Sequence, residues 1–225
     1  MAIILNLETA TTNCSVSISK GNEIISLKEN NAVDYSHSEQ LHVYIKEALE
    51  EASLSFSDLD AVAISKGPGS YTGLRIGVSS AKGLCFSLGL PLISVPTLQS
   101  MAFQVKLQKG ELAIPVLDAR RMEVYSCVYG ENYEEVRETR AEIITESSFA
   151  DFVSDRKVFV MGSGAQKCKE VLQHPNFYFD GEIVPSAKQM GPIAYQKYQA
   201  GQFEDVAYFE PYYLKDFVLQ TKKKS

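Results

Sequence analysis

The stretch Ile3-Ile-Leu-Asn-Leu-Glu-Thr-Ala-Thr-Thr-Asn-Cys-Ser-Val-Ser-Ile-Ser19 decides how this chain folds. Ile3 to Leu7 is a short apolar strand that ends on an acid, Glu8. The polar residues Thr9 to Asn13 make a turn, and Cys14 to Ser19 alternates apolar and polar with the period of a half-buried strand. Gly21-Asn22 is a hairpin signal, after which Glu23 to Lys28 returns as a third strand. The pattern recurs 110 residues later. Ala113 to Leu117 is an apolar strand ending at Asp118, Ala119 to Met122 is a turn, Val124 to Tyr129 is a second strand, and a turn at Gly130 to Asn132 leads to another. Each unit continues with a helical stretch and then a strand running into a glycine loop. These are Ala61 to Ser65 with Gly67-Pro-Gly69, and Val158 to Met161 with Gly162-Ser-Gly164, and each loop opens a helix. Identical residues between the halves are few, so coincidence of two α/β segments is the alternative. Repeated topology favours two related lobes, each a mixed sheet with flanking helices, divided as residues 1–108 and 109–225.

Composition sets the outer bounds. The 225 residues are 45% apolar and 22% charged, as expected of a globular chain able to bury real cores. A formal charge of −6 argues against a chain that grips nucleic acid unaided, since that needs clustered Lys and Arg. No apolar run approaches the ~18 to 20 residues of a membrane span, and the N-terminus does not read as a signal peptide. Cys14, Cys85, Cys127 and Cys168 are widely spaced, so a cytoplasmic protein with reduced, buried thiols is expected.

The best helix signal is Ser36 to Ala52. Ser36-His-Ser-Glu39 reads as a capping box, and Leu41, Tyr44, Ile45, Ala48 and Leu49 follow at helical spacing. Further helices are predicted over 72–89, 97–107, 149–154 and 166–173, and from 186 or 192 to 201; Lys222 to Lys224 reads as a solvated tail. In Lys66-Gly-Pro-Gly-Ser-Tyr-Thr-Gly-Leu-Arg-Ile-Gly77, the residues Gly67, Gly69, Ser70 and Thr72 could form an anion loop at a helix start. The spacing fits no nucleotide-binding fingerprint, and no lysine stands where a P-loop needs one. Gly73, Gly77 and Ala81 form one stripe along the helix. Two readings stay open for it: packing within the lobe, or packing against another chain.

Metal binding and nucleophilic catalysis find little support. His37 and His42 lie about 140° apart around a helix and do not share a face, and no Gly-x-Ser-x-Gly elbow exists. Glu8 and Asp118 end two strands, where α/β sheets place ligand groups. They either hold a hydrated cation or tie down the turns that follow. Arg120 and Arg121 beside Asp118 serve either an anion or a local ion pair.

Ile4-Leu-Asn-Leu-Glu-Thr-Ala-Thr11, the Gly67–Gly77 stretch, Val95-Pro-Thr-Leu98, Asp118-Ala-Arg120 with Glu123-Val-Tyr125, and Glu210-Pro-Tyr-Tyr-Leu214 occur in this order. Together they closely resemble the TsaB (YeaZ) family, over essentially the whole chain. The resemblance implies an actin/Hsp70/sugar-kinase-like (ASKHA) fold. It implies the dimerisation subunit of the bacterial complex that makes threonylcarbamoyladenosine at position 37 of tRNA. Implied partners are TsaD, the ATPase TsaE, TsaC as source of the activated adenylate, and tRNA held through the complex.

Departures from catalytic relatives imply a chain without catalysis or metal of its own. Thr97 and Met101 stand where TsaD carries two histidines. Ala10 puts a Cβ in the first turn, where nucleotide-using relatives have Gly. No cofactor is expected on this chain alone, although a nucleotide at the seam with TsaD remains open. The resemblance also tips the glycine stripe towards an inter-chain seam. The expected interface comprises Leu41, Tyr44, Ile45, Ala48 and Leu49 on one helix, with Gly73, Leu74, Gly77, Val78, Ala81 and Leu84 on the other; self-pairing is expected when TsaD is absent. The rival readings are a stand-alone ATP-dependent transferase or kinase and, less well supported, a metallopeptidase.

Overall fold

A computed structural model describes residues 1–31 and 37–214. The first sheet begins as β1 (Ile3–Glu8), β2 (Asn13–Lys20) and β3 (Glu23–Asn31), an antiparallel meander with Leu5 opposite Ile18 and Val16 opposite Lys28. Helix α1 (His37–Glu51) crosses to β4 (Ala61–Ser65), which pairs parallel to β1 with Leu7 beside Ile64. Helix α2 (Tyr71–Leu88) then leads to β5 (Leu92–Val95) and the short α3 (Thr97–Ala102). The ends of α2 follow local chemistry. Ser70 Oγ accepts from the Gly73 amide at the start, and Gly89 adopts a left-handed φ of 67° at the end.

The second sheet repeats the plan with β6 (Leu112–Asp118), β7 (Glu123–Tyr129), β8 (Glu135–Ile143), α4 (Ala150–Val153), β9 (Val158–Met161), α5 (Ala165–Val171) and β10 (Phe177–Asp180). The strand orders are β3-β2-β1-β4-β5 and β8-β7-β6-β9-β10, the same order twice. The duplicated two-lobed α/β architecture expected from the repeat is therefore present. The edge strands β5 and β10 add to the expected set, and α3 stops five residues short of its expected end. The capping box at Ser36 and the tail at Lys222 to Lys224 lie outside the described residues.

One boundary changes. The last helix, α6 (Ala187–Gln199), does not stay with the second lobe. It lies on the first sheet, where Ala187, Met190, Ile193 and Ala194 bury against Ile4, Ala61, Ala63, Ile93 and Val95. The opposite face of that sheet, including Leu5, Leu7, Val62 and Ile64, packs under α1 and α2. The two sheets are built from residues 3–95 and 112–180, and α6, which follows the second in sequence, covers the first because Ile4, Ala61 and Ala63 make its second face apolar. The same cause changes β2. Its serines read as a solvent face, yet Ser15, Ser17 and Ser19 are buried under α6. There Ser17 Oγ donates to the Ala187 carbonyl at 2.8 Å, and Ser15 Oγ accepts from the Ala187 amide at 3.0 Å.

Candidate functional site: a closed cleft and an open helical face

The first strand-end acid is sealed. Glu8 is fully buried, its Oε1 accepting from the Ala10 amide at 2.6 Å and from Ser65 Oγ at 2.8 Å, while Oε2 has no partner among the described residues. Burial pushes its carboxyl up to about 7, against the opposing pull of those donors. Above it sits the start of α2. Thr9 Oγ1 donates to the Gly73 carbonyl at 2.8 Å, and the Ser70 amide donates to the Ala10 carbonyl at 2.6 Å. A Cβ on Gly69 would land on the Ala10 carbonyl, one on Gly73 on the Thr9 carbonyl, and one on Gly77 on Thr9 Oγ1. These glycines admit the lobe's own first turn.

Two expectations meet the geometry here. In the loop of Gly67, Gly69, Ser70 and Thr72, the Ala10 carbonyl takes the space beside Gly69 and the Tyr212 carbonyl that beside Gly67, while Thr72 is exposed. The Gly73–Gly77–Ala81 stripe takes the first of its two readings, packing within the lobe. With Leu41, Ile45, Ala48, Leu49, Leu74 and Val78 it is buried against the first sheet, and Tyr44 and Leu84 are partly buried on the same core. Of these side chains, Leu84 alone also reaches one of the surface grooves described below.

The space between the lobes is filled by α3. Thr97 is buried and its Oγ1 accepts from the Gly67 amide at 3.2 Å. Leu98, Met101 and Ala102 pack with Leu117, Cys127, Tyr129 and Met161 of the second lobe, and Met101 Cε lies against Gly162. Among the described residues, no three His, Cys, Asp or Glu side chains gather as a metal site. The second strand-end acid has the opposite fate to Glu8. Asp118 is half exposed and paired with Lys167 Nζ at 2.7 Å, so it ties down its turn. Arg120 and Arg121 lie exposed on that turn with left-handed φ values of 71° and 50°.

What the two helices do offer is their outer side. Val43 is 50% exposed on α1, and Phe86 is 86% exposed on α2, a value that leaves its ring almost uncovered among the described residues. Two adjoining grooves meet at Gly83. One is lined by Lys82, Phe86, Asp205, Val206 and Ala207, the other by His42, Ser79, Ser80 and Leu84. A Cβ on Gly83 would meet nothing within 4 Å, so this glycine leaves open space beyond the helix. Lys82 Nζ donates to the Ala207 and Phe209 carbonyls, both at 3.0 Å, which holds the C-terminal segment along α2 as one wall. Arg75, Ser79, Gly83 and Phe86 recur at helical spacing opposite the buried stripe. That spacing, with a phenylalanine among small polar residues, was the available signal for this face.

The family model described as TsaD, tRNA N6-adenosine threonylcarbamoyltransferase, matches residues 31–223. The chain is 32% identical to the tRNA threonylcarbamoyladenosine biosynthesis protein TsaB of Escherichia coli, covering 97% of both chains. It is 26% identical to the TsaB of Haemophilus influenzae, over 97% of this chain and 96% of that one. The structure of YeaZ from Pseudomonas aeruginosa superposes with a TM-score of 0.84 at 25% identity, over 95% of this chain and all of that one. An activator of 2-hydroxyisocaproyl-CoA dehydratase from Clostridium difficile, 10% identical with a TM-score of 0.50 over 89% of this chain and 96% of that one, shares the fold alone. The chain belongs to the TsaD, tRNA N6-adenosine threonylcarbamoyltransferase, family, among the members called TsaB or YeaZ.

Proposed function

We propose that this chain acts in tRNA threonylcarbamoyladenosine biosynthesis as a non-catalytic subunit. It docks a TsaD sibling through the outer side of α1 and α2 and favours the sibling's active conformation by binding it better than the inactive one. The observation that carries this reading is the uncovered Phe86 ring beside Gly83. An apolar anchor next to open space on a helix is how an interface buries an aromatic hot spot. The filled cleft supports the absence of chemistry in this chain, since the Thr9-Ala10 turn and the side chains of α3 occupy the ground a phosphate or metal would need. TsaE and tRNA join through the complex. The E. coli and H. influenzae relatives carry the name of the same pathway.

The test is co-purification with the TsaD of the same organism, using Gly83→Arg and Phe86→Asp. Both lie on the open face, so circular dichroism of the isolated chain should be unchanged and both variants should stay fully folded at the assay temperature. Capture of TsaD and modification of tRNA should fall at least ten-fold, the equivalent of about 1.4 kcal/mol. Undiminished capture by both variants, or modified tRNA made by this chain without TsaD, would refute the proposal.

A further inference from the structure

The loop joining β6 to β7 is built against conformational preference. Arg120 and Arg121 are consecutive residues in the left-handed region, which Gly or Asn takes at far lower cost. The loop is nevertheless held firmly. The Arg120 amide donates to Asp118 Oδ1 at 2.6 Å, the Ala119 amide to the Glu123 carbonyl at 3.0 Å, and the Glu123 amide to the Arg120 carbonyl at 3.1 Å. From α5, Lys167 Nζ reaches under the loop to Asp118 Oδ1 and the Arg121 carbonyl, both at 2.7 Å, and to the Glu123 carbonyl at 2.9 Å. The charge of Asp118 is therefore met by Lys167, and neither guanidinium pairs with a carboxylate among the described residues. On a chain of net charge −6, this leaves two exposed guanidiniums without a carboxylate partner among the described residues, on a hydrogen-bonded tip. Strain held in place by dedicated contacts marks a feature kept for something outside the fold.

We propose that the Arg120–Arg121 loop contacts the phosphodiester backbone of the RNA that the complex modifies, one phosphate to each guanidinium. A guanidinium presents a planar fork of donors matched to two phosphate oxygens, and a preorganised loop loses little entropy on binding. The contact carries no sequence information; it positions the substrate. RNA is favoured over a protein partner because the loop offers two positive charges and no deep apolar pocket. The inference rests on the proposed role in a tRNA-modifying complex.

The experiment is filter binding of tRNA by the assembled complex of this chain with TsaD, from 50 to 200 mM KCl. For Arg120→Ala with Arg121→Ala, the slope of log affinity against log salt should become shallower by about 1.4 to 1.8. Over that range the unsubstituted complex should lose roughly ten-fold more affinity than the variant. Lysine at both positions keeps the charge and should keep most of the slope. Arg120→Asn with Arg121→Gly suits the left-handed backbone, so that variant should melt higher than the parent yet carry the shallower slope, which a purely structural role would not produce. An unchanged slope overturns the inference. Loss of TsaD capture by the alanine variant also overturns it, because the loop would then be a protein contact. Failure of the parent reading looks different: the unsubstituted chain then adds nothing to tRNA binding by TsaD, and the inference falls with it.

Discussion

Replacing Glu8 by Gln tests the sealed first turn directly. The carboxyl moves from the ordinary glutamate value of 4.5 to about 7 because burial penalises its charge, and two donors to Oε1 do not compensate for a buried Oε2 without a partner. In the folded chain the group stays protonated well above the pH at which it ionises in the unfolded chain. Between those two values the folded state binds more protons, so its stability falls as pH rises. The contribution of Glu8 is complete below about pH 4.5, is lost through about pH 7, and is flat above. The whole span is about 3 kcal/mol, most of which disappears between pH 5 and pH 8. Gln keeps the shape and the Oε1 acceptor without the ionisation, so Glu8→Gln should match the parent within about 1 kcal/mol at pH 5. At pH 8 it should exceed the parent by about 2 kcal/mol, or roughly 4 to 8 °C in melting temperature for a chain of this length. Urea denaturation at pH 5, 6, 7 and 8, with equal m values for the two proteins, is the assay. Parallel pH profiles for parent and variant would mean that Glu8 titrates normally in the fold, and the reasoning from its desolvation would be wrong.

Further substitutions probe the packing. Gly77→Ala drives a Cβ into Thr9 Oγ1 and should destabilise by about 1 to 3 kcal/mol, whereas Gly83→Ala meets nothing and should stabilise by up to about 1 kcal/mol; urea melts of both measure the contrast. Arg137 lies between Glu142 and Ser126 with its guanidinium carbon 4.8 Å from the Phe149 ring centre, so Arg137→Leu should cost about 1 to 3 kcal/mol. Adding Glu142→Leu should recover most of that loss, read by the double-mutant cycle. Met101→Ala empties a fully buried position between the lobes and should cost about 2 to 5 kcal/mol in thermal or urea unfolding.

The repeat was legible because strands announce themselves by period and ending. The order of two β-meanders, each closed by a parallel strand and a glycine loop, follows from runs such as Ile3 to Leu7 and Ala61 to Ser65. The limits of α2 could be read from Ser70 and Gly89 because capping is local chemistry. The return of α6 to the first sheet was not legible, since its apolar residues Met190, Ile193 and Ala194 state that a face is buried without stating which sheet covers it. The serines of β2 misled for a related reason. A small hydroxyl reads as exposed in a periodic pattern, yet it suits a buried seat when a helix amide and carbonyl stand opposite, as Ala187 provides for Ser15 and Ser17.

The same ambiguity leaves the small residues of α2 with two readings in the sequence. A stripe of Gly73, Gly77 and Ala81 has one spacing whether its cover is a strand of the same lobe or a helix of another chain. Only the proximity of Thr9 and Ile64 decides between them. Burial of the stripe then has a consequence for its opposite side. Because α2 gives its small residues to the first turn, whatever docks on the helix must be held by the other face, where Phe86 and Gly83 lie with the C-terminal segment as a wall. In this chain the glycines at the mouth of the cleft shut it, and the glycine on the outer side leaves room. The close seating of α2 on Thr9 and Ala10 therefore turns the side that carries Phe86 and Gly83 outward.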